Sequence, residues 1–235
     1  MTLSIIPIEG MGEIRPGDEI AVSIADAARA QNTPLHDGDC LVVTQKIVSK
    51  AENRLVALDP EDLAARTALV ESESVRIVRR RGDLIISETR HGFVCANAGI
   101  DLSNVEHGWA ALLPVDADRS AKHVRDALRA REHVDVAVII SDTFGRPWRR
   151  GLTDVAIGVS GIAAVVDLRD TTDALGRVLQ VTEVAVADEI ASAAELVMGK
   201  ATGVPVAIVR GVEPAWLREG SVRELIRPTN EDLFR

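Results

Sequence analysis

The strongest constraint on the fold is the run at residues 134–140, Val-Asp-Val-Ala-Val-Ile-Ile. A mostly β-branched stretch with a single Asp inside it predicts a strand buried on both faces, and so a sheet covered above and below. It leads directly into Ser141-Asp142-Thr143-Phe144-Gly145-Arg146-Pro147-Trp148-Arg149. A polar cluster at the C-terminal end of such a strand is where open α/β sheets place ligands. Asp142 and Thr143 offer hard oxygens, Arg146 and Arg149 offer rigid forks for phosphate or carboxylate, and Gly145-Arg146-Pro147 predicts a tight backbone. The cluster has the chemistry of a metal and an oxyanion site.

Around it the pattern alternates strands and helices. Strands are expected at residues 3–8, 40–44, 75–78, 84–89, 109–115, 163–167 and 204–209, with 75–78 and 84–89 joined as a hairpin through Arg80-Arg81-Gly82-Asp83. Helices are expected at residues 19–31, from Asp59-Pro60-Glu61-Asp62 to about 74, at 118–133 and at 184–200. This is a mixed α/β (α+β) chain of 235 residues, read as one domain over 1–235 in which no linker marks a boundary between lobes. The tail from Glu219 to Phe234 and Arg235 reads either as a loose end or as a wrap against a partner subunit.

Composition narrows the partners. There is no Tyr, aromatics are 3% of the chain and the net charge is −9, so neither base stacking nor a basic face supports nucleic-acid binding. No window is apolar for the ~18 residues a membrane span needs, and the N-terminus lacks a secretory pattern. Cys40 and Cys95 sit in apolar segments without a CxxC partner, which predicts buried reduced thiols and a cytoplasmic protein.

Three further stretches admit two readings each. The loop at residues 9–18, with Gly10, Gly12 and Gly17, is a plain connector or lets backbone N–H groups approach a ligand. Lys46 and Lys50, after the 40–44 strand, mark a solvated helix start or neutralise a polyphosphate. In Thr89-Arg90-His91-Gly92-Phe93-Val94-Cys95-Ala96-Asn97-Ala98-Gly99-Ile100-Asp101-Leu102-Ser103-Asn104, His91 is a structural histidine or a ligand contact, and Asp101 with Asn104 makes a local turn or meets a ligand. Asp101 and Asp142 together can supply two carboxylates to one divalent ion. Asp188, Glu189, Ser192 and Glu195 fall near one another on a face of the last helix, which is a solvated acidic face or a metal site.

The 89–104 and 141–149 clusters, with Val48-Ser49-Lys50-Ala51-Glu52 and residues 183–199, resemble the coenzyme F-420-0:L-glutamate ligases, γ-glutamyl ligases of deazaflavin coenzyme biosynthesis. The resemblance spans nearly the whole chain. It implies a two-lobed α/β fold forming an intertwined homodimer, without the flavin-binding domain fused to some relatives. It implies a ligase using GTP and a divalent metal, magnesium or manganese, with a monovalent ion such as potassium as a further candidate. The substrates implied are coenzyme F-420-0 and L-glutamate, joined through an acyl phosphate, with further γ-linked additions open.

By position, the resemblance assigns Asp101, Asp142 and Thr143 to the metal, and Met11, Gly12, Glu13, Ile14, Gln45, Lys50 and Asn104 to the nucleotide. Asp142, Lys50 and Arg149 become the catalytic candidates, and His91, Arg146 and Arg149 the candidates for substrate anions. Two positions depart from the expected pattern: Gln45 replaces a small hydroxyl residue, and Lys200 lies near an expected amide or acidic metal contact. The segment between Lys50 and Asp101 is also short. The alternatives are a non-catalytic phospholigand or deazaflavin binder, and an amide ligase with another carboxylate acceptor.

Overall fold

Residues 2–233 are described by a computed structural model, in which the 134–140 run becomes strand only from Ala137 and forms an inner strand of the largest sheet. In chain order the elements are β1 (Ser4–Ile8), α1 (Ile20–Ala30), β2 (Cys40–Thr44), α2 (Gln45–Ala51), β3 (Leu55–Ala57), α3 (Leu63–Ser72), β4 (Ser74–Arg81), β5 (Leu84–Thr89) and β6 (Val94–Ala96). They continue with β7 (Trp109–Ala111), α4 (Ala117–Glu132), β8 (Ala137–Arg146), β9 (Arg149–Ser160), β10 (Val166–Asp167), β11 (Glu183–Val184), α5 (Val186–Met198) and β12 (Val206–Arg210).

The main sheet has the order β1-β12-β2-β8-β9, with β2 and β8 parallel and the other pairs antiparallel. Its inner strands β12, β2 and β8 alternate between two cores. Leu41, Val43, Val138, Ile140, Val206 and Ile208 face α1 and α4, whereas Cys40, Val42, Ala137, Ile139, Ala207 and Val209 face α5. Period-two alternation with apolar residues at both phases is what a sheet sandwiched between helices demands. Each fully buried aliphatic side chain contributes about 1.5–3 kcal/mol of burial, so the five strands supply most of the drive to fold. The smaller sheet β4-β5-β6 packs under α3 around Val70, Ile85 and Ala98. Cys40 and Cys95 are buried and free, and among the described residues no helix is long and apolar enough to cross a membrane.

The main departure from the sequence reading is at the 141–149 cluster. The strand does not stop at Ile140; β8 continues through Arg146 and turns over Pro147-Trp148 into β9, with Arg146 opposite Arg149. Trp148 takes a positive φ of 57° in this two-residue turn, so the tight backbone lies at Pro147-Trp148 and Gly145 stays in the strand. Pairing with β9 extends the strand, because polar side chains that alternate with the pleat still satisfy a ladder. β9 and α4 come into close approach at Gly158, where a Cβ would lie 2.4 Å from the carbonyl carbon and oxygen of Ala117, at the start of α4.

Several bounds also shift. α3 begins at Leu63, capped by Asp62, whose Oδ1 accepts the Ala65 N–H at 2.9 Å, so Asp59-Pro60 forms a turn ahead of the helix. Arg80 and Arg81 belong to β4, and the hairpin turns at Gly82-Asp83. The 109–115 expectation shrinks to Trp109–Ala111 and the 163–167 one to Val166–Asp167. The α5 polar face is not simply solvated: Asp188 accepts the Ala156 N–H at 2.9 Å, and the Ser192 hydroxyl donates to the Asp154 carbonyl at 2.7 Å. In the tail Ser221 and Glu224 form a capping box and Asp118 accepts from the Ser221 hydroxyl at 2.7 Å, which anchors that part on α4. Phe234 and Arg235 lie outside the described residues.

Candidate functional site

The C-terminal ends of the parallel pair β2 and β8 meet at Thr44 and Ser141. The antiparallel strand β12 starts at the same end, and α5 terminates there. The result is a cleft of about 400 Å³, walled by Met11, Gly12, Glu13 and Ile14 on one side, Lys46 and Lys50 of α2 on another, and Asp142, Thr143, Asp154, Glu195 and Lys200 on its floor and far wall. Asn104 also lines it. Every expected nucleotide contact except Gln45 borders this one space. Gln45 is fully buried, its Oε1 accepts from the Ser49 hydroxyl at 2.8 Å, and its Nε2 has no partner.

Asp142 holds the least favourable charge in the cleft. It is 9% exposed and has no ion pair of its own among the described residues. Burial pushes its carboxyl up to about 7, with the Asp101 and Asp154 charges adding to the rise against a Thr143 N–H bond and the nearby Lys46 ammonium. Asp101 is tied by a bridge to Ala111, and its Oδ2 pairs with Lys46 Nζ at 2.9 Å. Lys46 also donates to the Ser103 hydroxyl at 2.9 Å, while Asp101 Oδ1 accepts the Ser103 N–H at 2.7 Å. Lys50 is paired with Glu13.

Asp154 is a site residue that sequence reasoning missed. It is 3% exposed and faces Thr143 across the β8–β9 ladder. Its Oδ1 accepts from the Thr143 hydroxyl at 2.6 Å and its Oδ2 from the Ser141 hydroxyl at 3.1 Å. A signal was present: with β9 read as the return arm of a hairpin, an Asp among the apolar residues beside 155–159 would lie opposite the metal candidates. Lys200 closes the group, with Nζ 2.9 Å from Asp154 Oδ1, 3.1 Å from Glu195 Oε1 and bonded to the Thr143 hydroxyl. Burial alone would lower the Lys200 pKa, but its bonds to Asp154 and Glu195 raise it above the ordinary lysine value.

The residues present suit a divalent ion in one respect and limit it in another. A buried carboxylate without an ion pair, near enough to Asp101 to feel its charge, offers with it hard oxygens of the kind magnesium and manganese take. Among the described residues no three His, Cys, Asp or Glu side chains converge as a self-sufficient metal group. Magnesium is commonly held by one or two carboxylates plus substrate phosphates, which matches such a partial donor set.

The anion candidates fall elsewhere. Arg146 and Arg149 are exposed at the hairpin tip, where Arg146 Nη2 donates to the Arg150 carbonyl at 2.6 Å, and neither lines the cleft. The His91 ring stacks on Phe93 and its Nε2 lies 2.9 Å from the Pro114 carbonyl oxygen, beside Arg90 and Arg119 in a separate hollow of about 700 Å³. The structure therefore gathers the nucleotide candidates other than Gln45 with Asp142 and Thr143, holds Asp101, which lines a neighbouring hollow, beside the cleft through Lys46, and leaves the three substrate candidates outside.

Residues 10–211 match the family model described as F420-0:Gamma-glutamyl ligase. The chain is 47% identical, over its full length and that of the relative, to a protein named coenzyme F420:L-glutamate ligase from Methanothermobacter thermautotrophicus. It is 44% identical to the protein of that name from Methanopyrus kandleri, covering 100% of this chain and 98% of that one. A third, from Methanocaldococcus jannaschii, is 42% identical over 86% of each chain. With a matching model over most of its length and relatives this similar, the chain belongs to the F420-0:gamma-glutamyl ligase family.

Proposed function

We propose that this chain is a ligase of coenzyme F-420 biosynthesis that joins L-glutamate to the carboxylate of coenzyme F-420-0, driven by GTP and a divalent metal. Further γ-linked additions extend the same chemistry. The observation that carries this reading is the single cleft in which the 11–14 loop, Lys46, Lys50, Asn104 and Asp142 converge. The names of the full-length relatives supply the substrates.

Phosphoryl transfer needs positioning and charge neutralisation more than covalent help from the protein. Lys46 and Lys50 offset polyphosphate charge, and Lys50 exchanges part of its pairing with Glu13 for a phosphate oxygen. Asn104 and residues 11–14 position the nucleotide. Asp101 and Asp142, with the Thr143 hydroxyl beside them, would hold the divalent ion, which when bound supplies neutralisation of the β- and γ-phosphates.

In the reaction, an oxygen of the acceptor carboxylate bonds to the γ-phosphorus as the bond to GDP breaks, giving an acyl phosphate. The glutamate amine then bonds to the acyl carbon, the carbon–oxygen bond to phosphate breaks, and the nitrogen loses a proton. Arg149 and Arg146 at the hairpin tip, and His91, are assigned to the anionic groups of the acceptor.

The same reading includes the two-lobed arrangement and an intertwined homodimer. Trp148 and Leu152 on the hairpin and Val75 on β4, each more than 60% exposed, are apolar surface that a partner would cover. Light scattering measures the mass.

Mass spectrometry of a reaction containing the protein, glutamate-free coenzyme, L-glutamate, GTP and manganese tests the activity. The expected result is a glutamyl increment that requires GTP and disappears in Asp142→Ala. Retention of GTP binding without any increment would favour the binding module or another acceptor.

A further inference from the structure

Lys200 has an environment unlike that of an ordinary surface lysine. Its ammonium lies against three oxygen donors from three elements: Thr143 of β8, Asp154 of β9 and Glu195 of α5. Asp154 is almost wholly buried and lines the cleft beside this group. The backbone is positioned as well. Gly199 turns the chain out of α5 with a φ of 60°, and the Asn104 side-chain amide lies 3.4 Å from the Lys200 carbonyl oxygen as its donor. Two carboxylates and a hydroxyl, all hard oxygens, are what a bound cation requires. Here a side chain of the protein fills that place.

The charges around the cleft point the same way. Glu13, Asp101, Asp142, Asp154 and Glu195 supply five carboxyl groups, and Lys46, Lys50 and Lys200 supply three ammonium groups. When all are ionised, two negative charges remain, which one divalent ion balances before any phosphate arrives. Phosphoryl-transfer sites often use two metal ions to flank the transferred group. A fixed ammonium beside Thr143 makes a second ion at this end of the cleft redundant and, by repulsion, unfavourable.

We propose that Lys200 is a tethered second cation of the cleft, occupying the Thr143–Asp154–Glu195 oxygen cradle, so that the chain takes up a single divalent ion, at Asp101 and Asp142. This rests on the metal- and nucleotide-dependent reading above. Lys200 then has two tasks: it neutralises Asp154 and Glu195, and it presents its exposed side to the terminal phosphates. An ammonium cannot be lost to dilution or chelation, so only the Asp101–Asp142 side of the site depends on free metal.

The test is manganese stoichiometry, read by electron paramagnetic resonance of free manganese with a non-hydrolysable GTP analogue bound. The intact protein is expected to bind one ion per chain and Lys200→Gln two, because Asp154, Glu195 and Thr143 then form an open site beside the phosphates. Lys200→Arg, which keeps the charge, is expected to stay at one. Two ions on the intact protein, or one on a Lys200→Gln chain whose circular dichroism shows it folded, would overturn the proposal and leave the ligase reading standing. No manganese on the intact protein at any concentration, with analogue bound, would overturn both.

Discussion

Thr143 and Asp154 face each other across the β8–β9 hairpin, and the Thr143 hydroxyl donates to Asp154 Oδ1 at 2.6 Å. This pairing places a buried carboxylate directly beneath the residue that would touch metal or phosphate, and it joins two arms of the hairpin to α5 through Lys200 and Ser192. Partners that orient the groups around a metal site typically matter about 10–100-fold when removed. Asp154→Asn should therefore lower kcat/KM for GTP by about that factor while the protein remains folded, since Asn keeps the shape and one acceptor oxygen. Steady-state kinetics with a parallel thermal melt decides it; an unchanged kcat/KM would remove Asp154 from the site.

Asp142 gives a pH-dependent prediction for the metal-free protein. Its folded pKa of about 7 lies above the ordinary 3.8, so folding favours the protonated form. The penalty on the fold is absent below about pH 4, grows as pH rises and is complete above about 7. Asp142→Asn removes a charge and keeps the shape. In chelator, the variant should melt higher than the parent at pH 8, on the order of 5 °C for a chain of this size, with the gap closing toward pH 4. Equal gaps at both pH values would mean that the Asp142 carboxylate is not the group strained by burial.

Much of the architecture was legible because the main sheet is buried on both faces. The strands around Leu41, Val138 and Ile208 could hardly be anything else, and the helices carried apolar stripes and caps. What could not be read was the pairing of distant arms. Residues 141–146 are polar enough to look like a loop, and only β9, which supplies their ladder partners, makes them strand. The same gap hid Asp154 and the cradle around Lys200, whose members are 57 positions apart in the chain between Thr143 and Lys200. By contrast Met11, Lys50, Asn104 and Asp142 were assigned by resemblance, and the structure gathers them in one cleft. His91, Arg146 and Arg149 were chosen by residue type alone, which says nothing of direction, and they lie outside it.

Arg210, at the end of β12, forms a bidentate pair with Asp39 through Nε at 2.8 Å and Nη2 at 2.7 Å, and Asp39 is 1% exposed. Removing one member of such a pair leaves the other charge buried without its partner. Arg210→Ala should cost about 3 kcal/mol, the lower end of the range for buried pairs because the guanidinium is partly open to solvent. Adding Asp39→Asn should recover part of that loss, as measured by urea unfolding. A double variant no more stable than the single one would show that the loss came from packing of the Arg210 stem rather than from the stranded carboxylate.

At Gly158 the start of α4 comes close against the sheet, and the missing side chain is what permits this. A Cβ there would lie 2.4 Å from the Ala117 carbonyl carbon and oxygen, a clash with backbone that no rotamer can relieve. The neighbouring contacts resist any shift, since Asp118 Oδ1 accepts the Val159 N–H at 2.8 Å and the same carboxylate anchors Ser221 and Val222 of the tail. Gly158→Ala must push α4 off β9 and loosen those bonds together, at a cost of about 1–3 kcal/mol or more. The expected readout is a lower urea midpoint with faster amide exchange at Val159 and Val222. Unchanged exchange at those two amides, with the midpoint also unchanged, would mean that α4 yields freely and that the glycine is not what sets its distance from the sheet.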